Sequence, residues 1–276
     1  SYDPSATFDN GFGLTNATLN NNQYFDNSGK NVKIGALNGA ATMAGSGMYT
    51  IGSNNVDCKY TGVFSGGKLT KVGEGALSLT TVQSSIATSD VYVSGGVLSL
   101  ENAAYTDNFF GLNTIRCSGV GAVLMGRTKI ADIYVENGGC LKPGVYTDAE
   151  RYGNMMLSNA YIYEGSSLNF LLRNTRGKAT SLTSITVSKN LMIKGDVDIE
   201  LGVSFKPADG AEFTLWTCGA FEKSASTKIN LPTLPNGFEW DTTDLWNSTG
   251  ILRIKSVDTA IEHITYDAIA TCEVYS

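Results

Sequence analysis

The chain has 276 residues, a net charge of −6 and 17% charged side chains, with 31 glycines and 5 prolines. Its 42% hydrophobic content indicates a folded chain and excludes a disordered one. The acidic balance, without a Lys/Arg cluster, argues against binding to nucleic acid or to an anionic membrane. No apolar run reaches the roughly 18–20 residues that a membrane-spanning helix needs.

Residues 1–30 are rich in Asn, Asp, Ser and Gly. We interpret them as an irregular entry segment that caps the fold, because exposed strand edges need covering. The chain begins at Ser1 without a methionine, and we interpret it as a piece of a longer protein.

The stretch from Tyr60 to Leu100 predicts short strands separated by tight turns. It reads YTGVFSGGKLTKVGEGALSLTTVQSSIATSDVYVSGGVLSL. Apolar and polar residues alternate in it, and glycines separate the alternating runs, which is typical of β-strands joined by sharp corners.

Similar runs recur downstream at intervals of roughly 20–25 residues, as a solenoid requires. Five successive runs begin at Val91, Ile115, Ile133, Tyr161 and Ile185. We therefore predict an all-β fold in which residues 31–256 form a right-handed single-stranded parallel β-helix, a pectin-lyase-like solenoid. An antiparallel sandwich or barrel is the alternative, because Asn137-Gly138 and Asn236-Gly237 are hairpin-turn signals.

Three insertions interrupt the recurrence, at residues 103–113, 143–154 and 173–184. Insertions in a solenoid usually emerge on one face, where binding often occurs. The aromatic and basic side chains of the first two insertions are candidate binding residues: Phe109, Phe110, Tyr146, Arg151 and Tyr152.

Tyr161 and Tyr163 are two further candidate binding residues, because they flank Ile162 and share one strand face. Tyr92 and Tyr134 occupy the middle of their own strands, which we expect to lie one residue out of phase with the later pair. Stacked on the outside, such tyrosines predict an aromatic ladder. It either stabilises the sheet or contacts a glycan or a protein.

Asp196, Asp198 and Glu200 lie at alternate positions of one predicted strand. A spacing of about 6.8 Å between neighbours suits a row of calcium ligands or a pair of glycosidase carboxylates. The competing interpretation is an ordinary solvated strand face. We predict no resident metal and no cofactor.

Two further features limit the chemistry. His263 is the single histidine, which excludes zinc sites built from several histidines. The motif WDTTDLW at residues 240–246 combines tryptophans with carboxylates, as a sugar platform does. We favour the interpretation in which Trp240 and Leu245 plug the end of the core, while Asp241 forms a turn.

The repeated stretch resembles a known family. GGKLTKVGEGALSLT, followed by DVYVSGGVLSL, resembles the passenger-associated transport repeat, or autotransporter-associated β-strand repeat, of bacterial autotransporters. IYVENGGCLKPG looks like a strand and corner of the same family, and LPNGFEWDTTDLWNSTGILRI resembles the segment that ends such passengers. Residues 257–276 form a C-terminal tail that resembles the start of a sorting domain of Bacteroidetes secreted proteins.

The resemblance implies a location at the cell surface, attached to the outer membrane, or in the secreted fraction of a Gram-negative bacterium. We expect a non-catalytic module that acts as an adhesin or display stalk. Its partner would be a glycan or protein on a host or bacterial surface. A polysaccharide-binding or polysaccharide-degrading β-helix and a purely structural spacer are the alternatives.

Overall fold

The computed structural model describes residues 12–80, 90–101, 114–146, 153–175, 178–181, 183–203 and 205–257. Every regular element within these residues is a β-strand. The strands are β1 (Phe12–Asn21), β2 (Phe25–Asp26), β3 (Val32–Gly39), β4 (Thr42–Ala44), β5 (Met48–Ile51), β6 (Cys58–Tyr60), β7 (Val63–Ser65), β8 (Lys68–Lys71), β9 (Ala76–Thr80), β10 (Asp90–Val93), β11 (Gly96–Glu101), β12 (Thr114–Ser118), β13 (Ala122–Arg127), β14 (Lys129–Glu136), β15 (Cys140–Pro143), β16 (Gly153–Ile162), β17 (Ser167–Thr175), β18 (Lys178–Ser181), β19 (Thr183–Ile193), β20 (Asp196–Leu201), β21 (Glu212–Thr214), β22 (Trp216–Lys223), β23 (Ile229–Asn230), β24 (Phe238–Asp241) and β25 (Ile251–Ser256).

Two long rows of parallel strands form the body of the fold. Face A contains β3, β5, β8, β10, β12, β14, β16, β19 and β22. Face B contains β6, β9, β11, β13, β15, β17, β20 and β23. Strands that follow one another in the chain usually belong to different rows, and each pairs with the equivalent strand of the next repeat. This parallel pairing is consistent with the predicted β-helix and is not that of an antiparallel sandwich or barrel.

The predicted recurrence is confirmed where it rests on the clearest strands. Val91 pairs with Ile115, and Ile115 pairs with Ile133, all on face A. On face B, Leu98 lies between Leu77 and Leu124. Because alternate residues of a strand point to opposite sides of a sheet, these aliphatic side chains stack in one continuous core.

Tyr161 and Ile185 do not continue the series. Ile133 pairs with Ala160, one residue before Tyr161. Ile185 pairs with Met155, whereas Tyr161 pairs with Met192. The expected equivalence of Tyr161 and Ile185 is therefore wrong. The reason is that the pairing of the long strands β16 and β19 has a register shift between Leu157 and Ala160. Each strand therefore consists of two paired segments. Ile185 lies in the first segment of β19, whereas Tyr161 lies in the second segment of β16.

The first described residues, from Phe12 onward, join the parallel rows. β1 pairs with β3, and β2 pairs with β4, so strands within residues 1–30 continue the parallel pairing of the repeats. At the other end the tail from residue 258 onward lies outside the described residues. None of the described residues belongs to a helix that is long and apolar enough to cross a membrane.

A buried lysine forms hydrogen bonds to the glycine-containing corners of two successive repeats. The Lys71 side chain is fully buried, and its ammonium donates hydrogen bonds of 2.7, 3.0 and 3.0 Å to the carbonyls of Val72, Gly73 and Gly95. Next to it, Gly96 has a φ of 57°, and a Cβ there would lie 2.4 Å from the Gly73 carbonyl oxygen. The glycines of the repeated motif are therefore required where one corner stacks on another.

The C-terminal end of the core is closed by a small antiparallel sheet of β21, β25 and β24. Leu245 is fully buried, and Trp240 packs against Phe213 with ring centroids 6.4 Å apart. The Asp241 carboxylate accepts a hydrogen bond of 2.9 Å from the Thr243 N–H, which forms a turn. The favoured interpretation of WDTTDLW, a plug and a turn, is confirmed.

Candidate functional site

The outer side of face A carries a row of aromatic and basic side chains. Tyr92 pairs with Arg116, Arg116 with Tyr134, and Tyr134 with Tyr161, one per repeat. We call these four residues the tyrosine strip. Because strands in a sheet lie about 4.8 Å apart, the four side chains lie directly beside one another.

The strip is held together by ring stacking. The Tyr134 and Tyr161 rings are stacked, with centroids 5.0 Å apart and planes 23° from parallel. The Arg116 guanidinium lies 4.4 Å from the Tyr134 ring centroid, in cation–π geometry. Each face of the Tyr134 ring is therefore covered by a neighbour, which leaves the edge and hydroxyl of Tyr134 for other contacts.

Of the predicted aromatic ladder, the described residues show the stacked pair Tyr134 and Tyr161, and the predicted phase is wrong. Tyr92, Tyr134 and Tyr161 share a single register, without the expected one-residue offset. Arg116 was missed as a member. The signal for it was present in the sequence, because Ile115-Arg116-Cys117 matches Ile133-Tyr134-Val135 position by position in the recurrence.

Polar side chains border the strip on both sides. On one side the Asn190 amide donates a 2.9 Å hydrogen bond to Asn159 Oδ1, and the Asn159 amide donates one of 2.8 Å to Asp132 Oδ1. On the other side Glu136 lies 3.8 Å from the Arg116 guanidinium. Burial, and secondly the Asp132 charge, raise the pKa of Tyr134 above its ordinary value.

Tyr163 lies next to the strip. Its backbone N–H donates a 2.8 Å hydrogen bond to the Val135 carbonyl, which places Tyr163 one repeat beyond Glu136. Tyr161 and Tyr163 are both half-buried. The two tyrosines that the sequence predicts as binding residues therefore lie on the same side of face A.

The first residues of the insertion after β15, up to Tyr146, lie across face B. The Gly144 N–H donates a 2.7 Å hydrogen bond to the Gly126 carbonyl, and the Tyr146 N–H donates one of 3.2 Å to Ser99 Oγ. The Tyr146 hydroxyl donates a 3.0 Å hydrogen bond to Asp57 Oδ2, just before β6. Tyr146 thus spans from the repeat of β15 to the repeat of β6.

The other candidates from the two insertions lie outside the described residues. They are Phe109, Phe110, Arg151 and Tyr152.

A pocket of about 330 Å³ lies beneath Tyr146. It is lined by Asn38, Asp57, Cys58, Lys59, Ala76, Ser78 and Tyr146. The sequence gives no local signal for this pocket, because Tyr146 and Asp57 are 89 residues apart and meet only through the path of the insertion.

The carboxylate row of β20 is engaged by its neighbours. Glu200 accepts hydrogen bonds from Lys142 Nζ at 3.3 Å and from the Asn169 amide at 2.8 Å. Asp198 accepts one of 2.7 Å from the Asn230 amide, and Asp196 accepts one from the Lys228 N–H. Within the described ranges no three His, Cys, Asp or Glu side chains converge as metal ligands.

The cysteines of the stack do not form an activated nucleophile. Burial raises the pKa of the Cys117 thiol to about 12, and it also raises the pKa of the Cys58 thiol. Reactive cysteines need a lowered pKa, because the thiolate is the nucleophile. Within the described part of the chain, Cys58, Cys117 and Cys218 are not joined by disulfide bonds.

No family model and no curated protein matches this sequence. The resemblance to autotransporter passengers therefore rests on the quoted motifs.

Proposed function

We propose that this chain is a right-handed parallel β-helix that works as a non-catalytic adhesin or display stalk, exposed on or secreted from a Gram-negative bacterium. The parallel rows of faces A and B support the solenoid. The motif resemblance supports the location. A stack in which each repeat packs on the next is a stiff scaffold, suited to holding a contact surface away from a cell.

The tyrosine strip is the observation that carries the proposal. Tyrosine and arginine are enriched among the residues that dominate protein–protein binding energies. Stacking between Tyr134 and Tyr161 and the Arg116 contact fix these side chains before any partner arrives. A pre-ordered surface loses less conformational entropy on binding.

The covered ring faces indicate the kind of partner. A sugar that stacks on an aromatic platform needs an open ring face, and both faces of Tyr134 are occupied. The strip instead offers edges, hydroxyls and a guanidinium between polar borders. This surface fits a protein partner better than a stacked sugar.

Attachment of protein-coated beads tests the proposal. Beads carrying the purified chain are applied to host epithelial cells and to bacterial cells, and bound beads are counted. We expect Arg116→Ala and Tyr161→Ala each to reduce attachment about tenfold or more. Tyr24→Ala, at a position that is 67% exposed and outside the strip, is the matched control.

Treatment of the target cells separates the partner classes. Protease treatment should abolish attachment, whereas removal of surface glycans should leave it intact. Attachment that is equal for wild type and both strip variants would show that the strip is not the contact surface. Absence of attachment to any cell would favour a structural spacer.

A further inference from the structure

The pocket beneath Tyr146 has the construction of a binding site. Its floor is the outer side of face B, where Lys59 and Ser78 are paired neighbours on β6 and β9. Asp57 forms one wall, and Tyr146 crosses above it. The volume of about 330 Å³ falls at the lower end of the roughly 300–1,000 Å³ found for small-molecule pockets.

The hydrogen bonds made by Asp57 and Asn38 hold the lining of the pocket in place and still leave hydrogen-bonding capacity on both side chains. Asp57 accepts from the Ala76 N–H at 2.8 Å and from the Tyr146 hydroxyl at 3.0 Å. An ionised carboxylate can accept about four hydrogen bonds, so roughly two positions are left. Asn38 Oδ1 accepts from the Lys59 N–H at 3.1 Å, which leaves the Asn38 amide donors for another partner.

Ser78 and Lys59 are the two polar side chains of the pocket floor. Ser78 is only 3% exposed, so a substitution there changes the floor itself. The Lys59 ammonium has no ion pair among the described residues, although Asp57 lies in the same pocket.

We propose that this pocket binds a neutral sugar unit. The ionisable groups of the lining, Asp57 and Lys59, have opposite charges, so the lining as a whole does not select an ion. It mixes acceptors with donors, and a sugar hydroxyl is both. Ala76 and the Tyr146 ring supply apolar contact for the C–H groups of a sugar.

This inference goes beyond the proposed function and does not depend on the strip. The strip lies on face A and the pocket on face B, so a variant in one leaves the other intact. Loss of cell attachment and loss of sugar binding are therefore separate outcomes.

Calorimetric titration of the whole chain tests the proposal. The probes are glucose, galactose, mannose, fucose and N-acetylglucosamine, with glycine as a zwitterion and inorganic phosphate as an anion. We expect at least one sugar to bind with one-to-one stoichiometry, and glycine and phosphate not to bind.

Two substitutions at one position make the test specific. Ser78→Val fills the floor and should weaken sugar binding about tenfold or more, whereas Ser78→Ala should weaken it about fivefold without lowering the melting temperature. Lys59→Met, at an exposed position, should also weaken sugar binding. This variant tests the lining of the pocket if Ser78→Val does not fold. Tyr161→Ala is the control and should bind the sugar normally.

The proposal is overturned if none of the five sugars binds, or if binding is unchanged in Ser78→Val and Lys59→Met. Binding of glycine or phosphate in place of sugars would also overturn it.

Discussion

The Tyr146 hydroxyl donates a hydrogen bond of 3.0 Å to the carboxylate of Asp57, 89 residues earlier in the chain. This contact anchors the start of the insertion after β15 across face B. Without it, two hydrogen bonds would hold the segment, from the Gly144 N–H to the Gly126 carbonyl and from the Tyr146 N–H to Ser99 Oγ.

Tyr146→Phe tests this anchor. The ring remains and the hydrogen bond is lost, so we expect a small loss of stability of about 0.5–1 kcal/mol, because Tyr146 is 38% exposed. Amide hydrogen exchange of Val145 and Tyr146 should accelerate more than the global change predicts. Tyr163→Phe is the matched control and should leave both quantities unchanged. Equal exchange rates in the two variants would show that the bond does not anchor the segment.

The pH dependence of stability should reveal Lys71. Burial lowers the pKa of Lys71 from 10.5 to about 8 in the folded chain. Between these values Lys71 binds more protons in the unfolded chain than in the folded chain, so its contribution to the free energy of unfolding should rise with pH, by about 2 kcal/mol between pH 8 and pH 10. The thiols of Cys117 and Cys58 oppose this rise, because burial raises their pKa and the unfolded thiols ionise first.

Buried tyrosines reverse this trend at higher pH. Burial raises the pKa of Tyr60 from 10.0 to about 12 and also raises that of Tyr49. Above pH 10 the unfolded chain loses phenol protons that the folded chain keeps, so stability should fall again.

Urea unfolding at half-unit pH steps measures both limbs of this curve. The stability difference between wild type and Lys71→Met should change by about 2 kcal/mol between pH 8 and pH 10, because the thiols and phenols titrate alike in both proteins. Lys71→Met should also be less stable at pH 7 by about 1–3 kcal/mol, because three part-buried carbonyls lose their donor. A stability difference that stays constant from pH 8 to pH 10 would contradict the assignment.

Much of the fold could be predicted from the sequence. The strands at Val91, Ile115 and Ile133 are short and alternate cleanly, so counting residues between them gave the correct partners. Counting failed at Ile185 because β16 and β19 each contain two stretches joined by a register shift. Hydrophobic alternation does not reveal which half of a long strand pairs with which earlier strand.

The candidate sites also contain features that the sequence predicts and features that it does not. Outward-facing tyrosines could be predicted because Tyr134 and Tyr161 lie in alternating runs, but the register that pairs them could not. The Asp57–Tyr146 contact could not be predicted, because it depends on the path of an insertion and not on periodicity. The same holds for the partners of Glu200, since Lys142 is 58 residues away in the sequence and reaches it across face B.

A core substitution measures how strongly the stack depends on each repeat. Leu98 is fully buried between Leu77 and Leu124. Leu98→Ala removes packing and leaves a cavity, so we expect a loss of about 2–5 kcal/mol in the free energy of unfolding. Val120→Ala, at a position that is 92% exposed, should change it by less than about 0.5 kcal/mol. Similar losses in both variants, measured by urea unfolding, would contradict the stacked core.

Calcium addition tests the carboxylate row. Asp196, Asp198 and Glu200 already accept hydrogen bonds from separate neighbours. We expect millimolar calcium to leave the melting temperature unchanged, because a cation that binds only the folded chain would raise it. A calcium-dependent increase that disappears in Asp198→Asn would show that the row binds the ion.

Labelling of intact cells tests most directly whether the chain works outside the cytoplasm. Antibodies raised against the purified chain are applied to the living source bacterium, and the culture medium is assayed in parallel. We predict that the antibody labels unbroken cells or detects the chain in cell-free medium, and that external protease removes the surface signal. A signal that appears only after lysis, together with a cytoplasmic marker, would contradict a role as an adhesin or display stalk.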